Sequence, residues 1–374
     1  MTAQTTDATA APAPSAGAPV RRRPAFHTLR IAAVEPLTED SAAITFDIPA
    51  ELAEEFAFAP GQSLTLRREI DGRDERRSYS ICSPVGSGPR IGVRVVPGGL
   101  FSSWLVNDVR AGEEIEVMAP TGLFTPDLAE PGHHVLIAAG SGITPMLSIA
   151  ASVLAADDRS RVTLFYGNRR SSTVMFADEL ADLKDRFPTR FQLGHVLSRE
   201  PREAELLSGR LDADRLAALI GSLVDVGDAD HWWLCGPHGM VRDAQGVLDG
   251  LDVPADRVHQ ELFYADDEPV REAQHTEAPA DGPVSEVTIS LDGRTSTTPL
   301  PRDRSILEGA QQARPDVPFA CKGGVCGTCR ALVCDGEAEM RRNFALEQSE
   351  VDAGYVLTCQ TFAVSDSLTV DFDS

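Results

Sequence analysis

Three cysteines share one short loop near the C-terminus, Cys321-Lys322-Gly323-Gly324-Val325-Cys326-Gly327-Thr328-Cys329, and a solitary Cys359 answers them from a distant segment. C-x4-C-x2-C spacing with a remote fourth thiolate is the ligand pattern of a plant-type [2Fe–2S] cluster. Structural zinc sites usually pair their ligands in two short knuckles, so zinc stands as the alternative. Gly323, Gly324 and Gly327 let backbone N–H groups turn toward sulfur and offset its negative charge. A cluster of this kind moves one electron at a time, so the rest of the chain must supply those electrons.

Seven cysteines, four of them in cluster spacing, do not make a disulfide framework and point to a reducing cytoplasm. Cys82 reads as a small buried hydrophobe and Cys334 as a spare structural thiol. At 374 residues the chain suggests two or three domains. The net charge of −23 argues against nucleic-acid binding, and no apolar run is long enough to span a membrane. Residues 1–24, rich in Ala, Thr and Pro and ending in three arginines, read as a disordered tail, with a targeting peptide as the alternative.

Residues 25–127 show short alternating strands at 41–48, 62–66 and 77–81, separated by turn signals at Pro60-Gly61, Asp71-Gly72 and Pro97-Gly98-Gly99. The pattern predicts a small antiparallel β-barrel. Within it, Arg77-Ser78-Tyr79-Ser80 lies on a strand, whose alternation puts Arg77 and Tyr79 on one face and Ser80 on the other. Gly98 and Gly99, followed by Ser102 and Ser103 at a helix start, would present free backbone N–H groups to a phosphate.

Strands alternate with helices over residues 128–266, which predicts a parallel-sheet α/β domain. The buried strand 134–139 runs into Gly140-Ser141-Gly142-Ile143-Thr144-Pro145, ahead of an amphipathic helix from Met146. Gly140 and Gly142 allow close approach to a bound phosphate, and Pro145 suits a first helical turn. A second strand-to-turn unit, Trp232-Trp233-Leu234-Cys235-Gly236-Pro237, repeats the pattern before a helix at Met240. Cationic candidates for an extra phosphate are Arg169, Arg199 beside Ser198, and Arg210, although surface arginines are most often simply solvated. Phe263 closes this region and has a plain reading as core.

Residues 267–284 are acidic and Pro-rich, as expected of a linker. A further domain over 285–374 opens with the strand 287–291 and a helix start at Ser305, with Glu308 completing a capping box.

These motifs resemble those of the ferredoxin–NADP reductase superfamily. The resemblance carried by Arg77-x-Tyr79-Ser80, Ser83 and Gly98-Gly99-x-x-Ser102 implies FAD binding. It gives Arg77 the pyrophosphate, Tyr79 the isoalloxazine and Ser80 a place near flavin N5. The turns at 140–145 and 235–237 resemble the pyridine-nucleotide domain of that superfamily, which implies that Cys235 lies beside the nicotinamide, with a buried free cysteine as the alternative, and that an aromatic or acidic residue at the end of His259-Gln260-Glu261-Leu262-Phe263-Tyr264, here Phe263, approaches the nicotinamide side of the flavin. The spacing of the arginines resembles the NADP-selective branch and implies NADPH.

The order of flavin barrel, nucleotide domain and C-terminal β-grasp ferredoxin is similar to that of oxygenase reductases. Arg-Ser-Tyr-Ser-Ile-Cys at 77–82, Ala-Ala-Gly-Ser-Gly-Ile-Thr-Pro-Met-Leu at 138–147 and Ala-Gly-Tyr-Val-Leu-Thr-Cys-Gln at 353–360 are most similar to the reductases of phenylacetyl-CoA epoxidase systems. The resemblance implies hydride transfer from NADPH to FAD near Ser80 and Cys235, then single electrons through the cluster to a separate di-iron oxygenase. Service to another aromatic-ring or steroid hydroxylase is one alternative. A redox sensor or electron carrier without nucleotide turnover is the alternative from another class.

Overall fold

The computed structural model describes residues 25–70, 72–263, 283–314, 316–346 and 348–374. The expected N-terminal tail and residues 267–282 of the expected linker lie outside them.

Six antiparallel strands form the first unit: β1 (Phe26–Thr38), β2 (Ser41–Asp47), β3 (Ser63–Ile70), β4 (Arg73–Ser80), β5 (Arg90–Arg94) and β6 (Glu114–Thr121), in the order β4-β3-β6-β1-β2-β5. Its two edge strands meet through an antiparallel bridge between Ile81 and Ile91, and the Cys82 amide donates to the Arg90 carbonyl at 2.8 Å. Closing the sheet removes the exposed edges that an open antiparallel sheet would carry. Alternate residues Leu64, Leu66, Ile44, Phe46 and Val117 point inward and fill the barrel. The short helix α1 (Leu100–Asn107) packs Phe101 and Leu105 against them.

The second unit is a parallel sheet of β7 (His133–Ala139), β8 (Arg161–Asn168), β9 (Phe191–Leu197), β10 (His231–Gly236) and β11 (Val258–Leu262), ordered β11-β10-β7-β8-β9. Helices α2 (Ile143–Ala156) and α3 (Ala177–Arg186) lie in the apolar cluster on one face, α4 (Ala213–Leu223) and α5 (His238–Asp249) in that on the other. Strand β7 shows the consequence: Leu136 and Ala138 enter the first cluster, Val135 and Ile137 the second, so the strand is apolar on both sides.

Helix α2 begins at Ile143, a turn earlier than the sequence suggests, and is buried on nearly every side rather than amphipathic. It is wedged against the barrel segment after β4, where Ser148 Oγ donates to the Ser83 carbonyl at 2.7 Å and Ser152 Oγ accepts from the Val85 amide at 3.0 Å. A helix covered by two units has no solvent face to make polar.

The third unit is a mixed sheet of β12 (Val284–Leu291), β13 (Arg294–Pro301), β14 (Arg330–Met340), β15 (Tyr355–Leu357) and β16 (Thr361–Asp371), ordered β13-β12-β16-β14-β15, with helices α6 (Ile306–Ala313) and α7 (Gln348–Asp352). The parallel pairing of β12 with β16 and the packing of α6 on one face give the β-grasp arrangement. Ser305 caps α6, and Glu308 reaches back to the Ser305 amide at 2.9 Å, completing the predicted capping box. Cys334, expected to be structural, is exposed on β14.

Candidate functional site

The end of β4 carries the Arg77-x-Tyr79-Ser80 motif. Arg77 is half-exposed and pairs with Glu75 at 2.9 Å, while the Tyr79 ring lies 6.3 Å from that of Phe101. Ser80 points the other way, is 3 % exposed, and donates from Oγ to Glu261 Oε2 at 2.9 Å. Ser83 is also buried, and its hydroxyl accepts from the Arg90 amide at 3.1 Å. Gly98 takes a left-handed φ of +75°, which lets the chain turn into Gly99, the N-cap of α1. The Ser102 hydroxyl braces this turn by accepting from the Val96 amide at 3.0 Å, so it shapes the loop, while Ser103 continues the helix. The first-turn amides of α1 are the groups left to meet an anion.

Both nucleotide turns stand at the C-terminal edge of the parallel sheet, where ligands bind in folds of this kind. Residues Gly140–Gly142 make a 3₁₀ turn, and Tyr166 donates its hydroxyl to the Gly140 carbonyl at 2.9 Å. Thr144 Oγ1 donates to the Ser141 carbonyl at 3.0 Å, and Pro145 falls in the first turn of α2. A Cβ on Gly142 would sit 2.2 Å from the Cys235 carbonyl oxygen, so a glycine is what lets the two turns touch. Gly236 and Pro237 lead straight into α5, with Pro237 as its N-cap.

Cys235 is fully buried beside Glu261, its register partner on β11. Burial, then the Glu261 charge, pushes the thiol well above its ordinary range and keeps it protonated. Burial also raises the Glu261 carboxyl to about 7, against the opposing effect of the Ser80 hydrogen bond. Phe263 packs on the edge of the adjoining apolar cluster.

The cationic candidates gather farther along the same edge. The Ser198 amide donates to the Asn168 carbonyl at 2.9 Å and the Arg199 amide to the Arg169 carbonyl at 2.8 Å, continuing the β8–β9 pairing into the loops. Glu200 ties these loops together by accepting from the Ser171 amide at 2.9 Å. Gly209 donates to the Leu197 carbonyl at 2.9 Å, bringing Arg210 to the same corner. All three arginines, Arg169, Arg199 and Arg210, are exposed there.

The cysteine loop turns through positive φ at Lys322, Gly324 and Gly327. Its backbone faces sulfur: the Gly323 amide lies 3.3 Å from Cys321 Sγ and the Cys321 amide 3.5 Å from Cys326 Sγ. The thiols associate in twos. A hydrogen bond from Cys326 holds Cys321 below the ordinary thiol range and raises Cys326, and Cys329 is raised first by its hydrogen bond with Cys359.

Among the described residues no three His, Cys, Asp or Glu side chains converge on a single metal ion. A two-iron cluster needs two thiolates on each iron, and the two-and-two grouping of Cys321 with Cys326 and Cys329 with Cys359 fits that donor set. The loop is wedged between the other units. Val325, Cys321 and Phe344 join the apolar cluster of the parallel sheet, and the Phe344 ring meets that of His238, the first residue of α5, at 5.5 Å.

Motif reading singled out neither Glu261, in the strand before Phe263, nor Arg76, which lies outside the site at the joint between the barrel and the cluster unit. Glu261 is an acid at the end of a strand, and its partner lies on another unit. Arg76 is hidden in a run of charged residues yet is only 4 % exposed.

Comparison with known proteins agrees with this architecture. Residues 28–125 match the Oxidoreductase FAD-binding domain family, residues 136–246 the Oxidoreductase NAD-binding domain family, and residues 289–364 the 2Fe-2S iron-sulfur cluster binding domain family. Together they define a reductase of the ferredoxin–NADP reductase superfamily that uses FAD, a pyridine nucleotide and a [2Fe–2S] cluster.

The chain is 41 % identical to a component of the 1,2-phenylacetyl-CoA epoxidase of Escherichia coli (strain K12), over 93 % of its own length and 98 % of that protein. It therefore belongs to the family of reductases represented by that epoxidase component. The ferredoxin reductase component of the 3-ketosteroid-9-alpha-monooxygenase of Rhodococcus rhodochrous is 33 % identical, over 92 % of this chain and 96 % of that one. The structure of phthalate dioxygenase reductase, described as modular for electron transfer from pyridine nucleotides to [2Fe–2S], superposes with a TM-score of 0.57 at 28 % identity, covering 93 % and 98 % of the two chains. Among the described residues no helix is long and apolar enough to cross a membrane.

Proposed function

We propose that this chain carries electrons from NADPH to the di-iron oxygenase of a phenylacetyl-CoA epoxidase in the cytoplasm. The observation that carries the reading is the junction at β4, β10 and β11, where Ser80, Cys235 and Glu261 meet while Arg76 of the same β4 touches Val317 and Phe319 of the unit bearing the four cysteines. The work is divided among a barrel (25–127), a nucleotide unit (128–266) and a cluster unit (285–374) joined by a linker (267–284). When bound, the flavin would supply the conversion between the nucleotide's single hydride, an electron pair, and the single electrons that the cluster passes, which neither nucleotide nor cluster performs alone.

Arg77 and the first-turn amides of α1, set by Gly98, Gly99, Ser102 and Ser103, hold the FAD phosphates. Tyr79 packs on the ring system, Ser83 braces the loop behind it, and Ser80 holds a hydrogen bond at the ring's reactive edge. Gly140, Gly142, Thr144 and Pro145 shape the turn that takes the nucleotide pyrophosphate. Cys235, Gly236, Pro237 and Phe263 bound the nicotinamide and exclude water. The neutral Cys235 thiol adds no charge beside the reacting carbon, and the Glu261 carboxyl, whose Oε2 accepts from Ser80, can hold or release a proton near neutral pH. Ser198, Arg199, Arg169 and Arg210 bind the 2′-phosphate that distinguishes NADPH from NADH. Cys321, Cys326, Cys329 and Cys359 ligate the cluster.

Reconstitution tests the client. With NADPH and this chain, a phenylacetyl-CoA epoxidase oxygenase should turn over; reduction of cytochrome c without support of epoxidation would overturn the assignment. The similarity to a 3-ketosteroid-9-alpha-monooxygenase reductase makes a steroid oxygenase the natural comparison partner in the same assay.

A further inference from the structure

Arg76 stands on β4 next to Arg77, yet its side chain leaves the barrel and enters the cluster unit. Its Nη1 lies 3.4 Å from the Val317 carbonyl oxygen, and its guanidinium carbon lies 4.2 Å from the centre of the Phe319 ring. Phe319 is separated from the first cluster cysteine only by Ala320. On the barrel side the guanidinium is fixed by Asp74, with Nη2 to Oδ2 at 2.6 Å and Nε to Oδ1 at 3.1 Å, and it lies 5.2 Å from the Phe26 ring. Val317 is fully buried and Phe319 is 4 % exposed, so the contact is a sealed joint and not a surface pair. A desolvated guanidinium clamped by a carboxylate has little freedom to re-orient, and its planar fork suits a stacked ring better than an ammonium would.

We propose that Arg76 is a positioning residue for electron transfer, holding the segment that leads into the cysteine loop against the strand that carries Tyr79 and Ser80. The inference rests on the flavin and cluster assignments above. One rigid strand then presents Tyr79 and Ser80 to the electron donor and Arg76 to the acceptor's supporting loop, so the separation between the two centres is set by a side chain that touches neither. The loop keeps a second attachment through Val325, Phe344 and His238. Loss of Arg76 therefore loosens the joint without releasing the unit.

The test uses the full chain loaded with FAD and cluster. In Arg76→Ala, hydrogen exchange at the amides of Val317, Phe319 and Ala320 should rise about tenfold while the barrel strands keep their protection. In anaerobic single turnover with NADPH, flavin reduction should stay within about twofold of the parent, and the following flavin-to-cluster phase should slow about tenfold or more. The cluster's electron paramagnetic resonance spectrum should not change, and Arg76→Lys should recover part of the slow phase. Unchanged exchange with an unchanged second phase overturns the proposal, as does equal slowing of both phases. If Arg76→Ala does not retain FAD, Phe319→Leu approaches the joint from the other side. It should give the same selective slowing, and a parent-like second phase in that variant overturns the proposal. Failure of NADPH to reduce the flavin of the parent protein would instead contradict the functional reading itself.

Discussion

Ser80 on β4 and Glu261 on β11 are joined by a hydrogen bond of 2.9 Å, so the flavin strand and the last strand of the parallel sheet meet at a carboxyl group. Cys235 lies next to that carboxyl in register, and both groups are held in their neutral forms more strongly than they would be in water. The barrel and the parallel sheet thus close on a neutral thiol beside a carboxyl that titrates near neutral pH, at the place where the proposed function sets hydride donor against acceptor.

The shift on Glu261 has a measurable sign. Its carboxyl is raised from 4.5 to about 7, so over that window the folded chain keeps a proton that the unfolded chain has lost. This group's contribution to stability is therefore greatest below about 4.5 and declines as pH rises toward about 7. Glu261→Gln should remove that decline, seen as a flatter urea midpoint against pH. An unchanged slope would mean that Glu261 is ionised in the folded protein.

The histidines of the parallel sheet behave in the opposite sense. Trp233 donates to His134 Nδ1 at 3.1 Å and stacks on His259 with ring centres 4.2 Å apart; His134 and His259 are both lowered to about 4, first by burial and next by His231. Unfolding lets each take up a proton at its ordinary pKa of 6.5, so stability present above about 6.5 is lost as pH falls toward about 4. His259→Gln should lose less stability than the parent across that window, by chemical denaturation at stepped pH.

A methyl group at residue 142 has nowhere to go, because the Cys235 carbonyl would be 2.2 Å away. Gly142→Ala should cost about 1–3 kcal/mol, the range for overpacking a close contact. It should also weaken NADPH binding by forcing the two turns apart. Retained nucleotide affinity would show that the turns do not act together.

Much of this is legible in the sequence because the chemistry sits on local motifs. The cysteine spacing, the glycines of both nucleotide turns, the capping box at Ser305 and Glu308 and the barrel strands each depend on residues close in the chain. What escapes is long-range. Glu261 is a plain acid until β11 brings it to Ser80, and Arg76 reads as a surface cation until the third unit covers it. Helix α2 departs from the amphipathic expectation for the same reason, since the barrel buries the face that an isolated α/β domain would leave wet.

The corner formed by Ser198, Arg199, Arg169 and Arg210 gives the nucleotide preference a direct check. Arg199→Ala should raise KM for NADPH about tenfold or more while moving KM for NADH little, as expected from loss of a charge-assisted phosphate contact. Equal effects on both would remove the case for 2′-phosphate recognition.

Under the proposed function, electrons enter from NADPH and leave through the four-cysteine loop to an oxygenase. Anaerobic titration with NADPH, followed by mixing with the oxygenase component of a phenylacetyl-CoA epoxidase, is the decisive measurement. The parent chain should take up about three electron equivalents, two at the flavin and one at the cluster, and be reoxidised on mixing. Cys326→Ser should lose the cluster absorbance, take up about two at the flavin, and fail to reduce the oxygenase. A parent protein whose flavin bleaches while its cluster stays oxidised, or a Cys326→Ser variant that still reduces the oxygenase at the parent rate, would contradict the account.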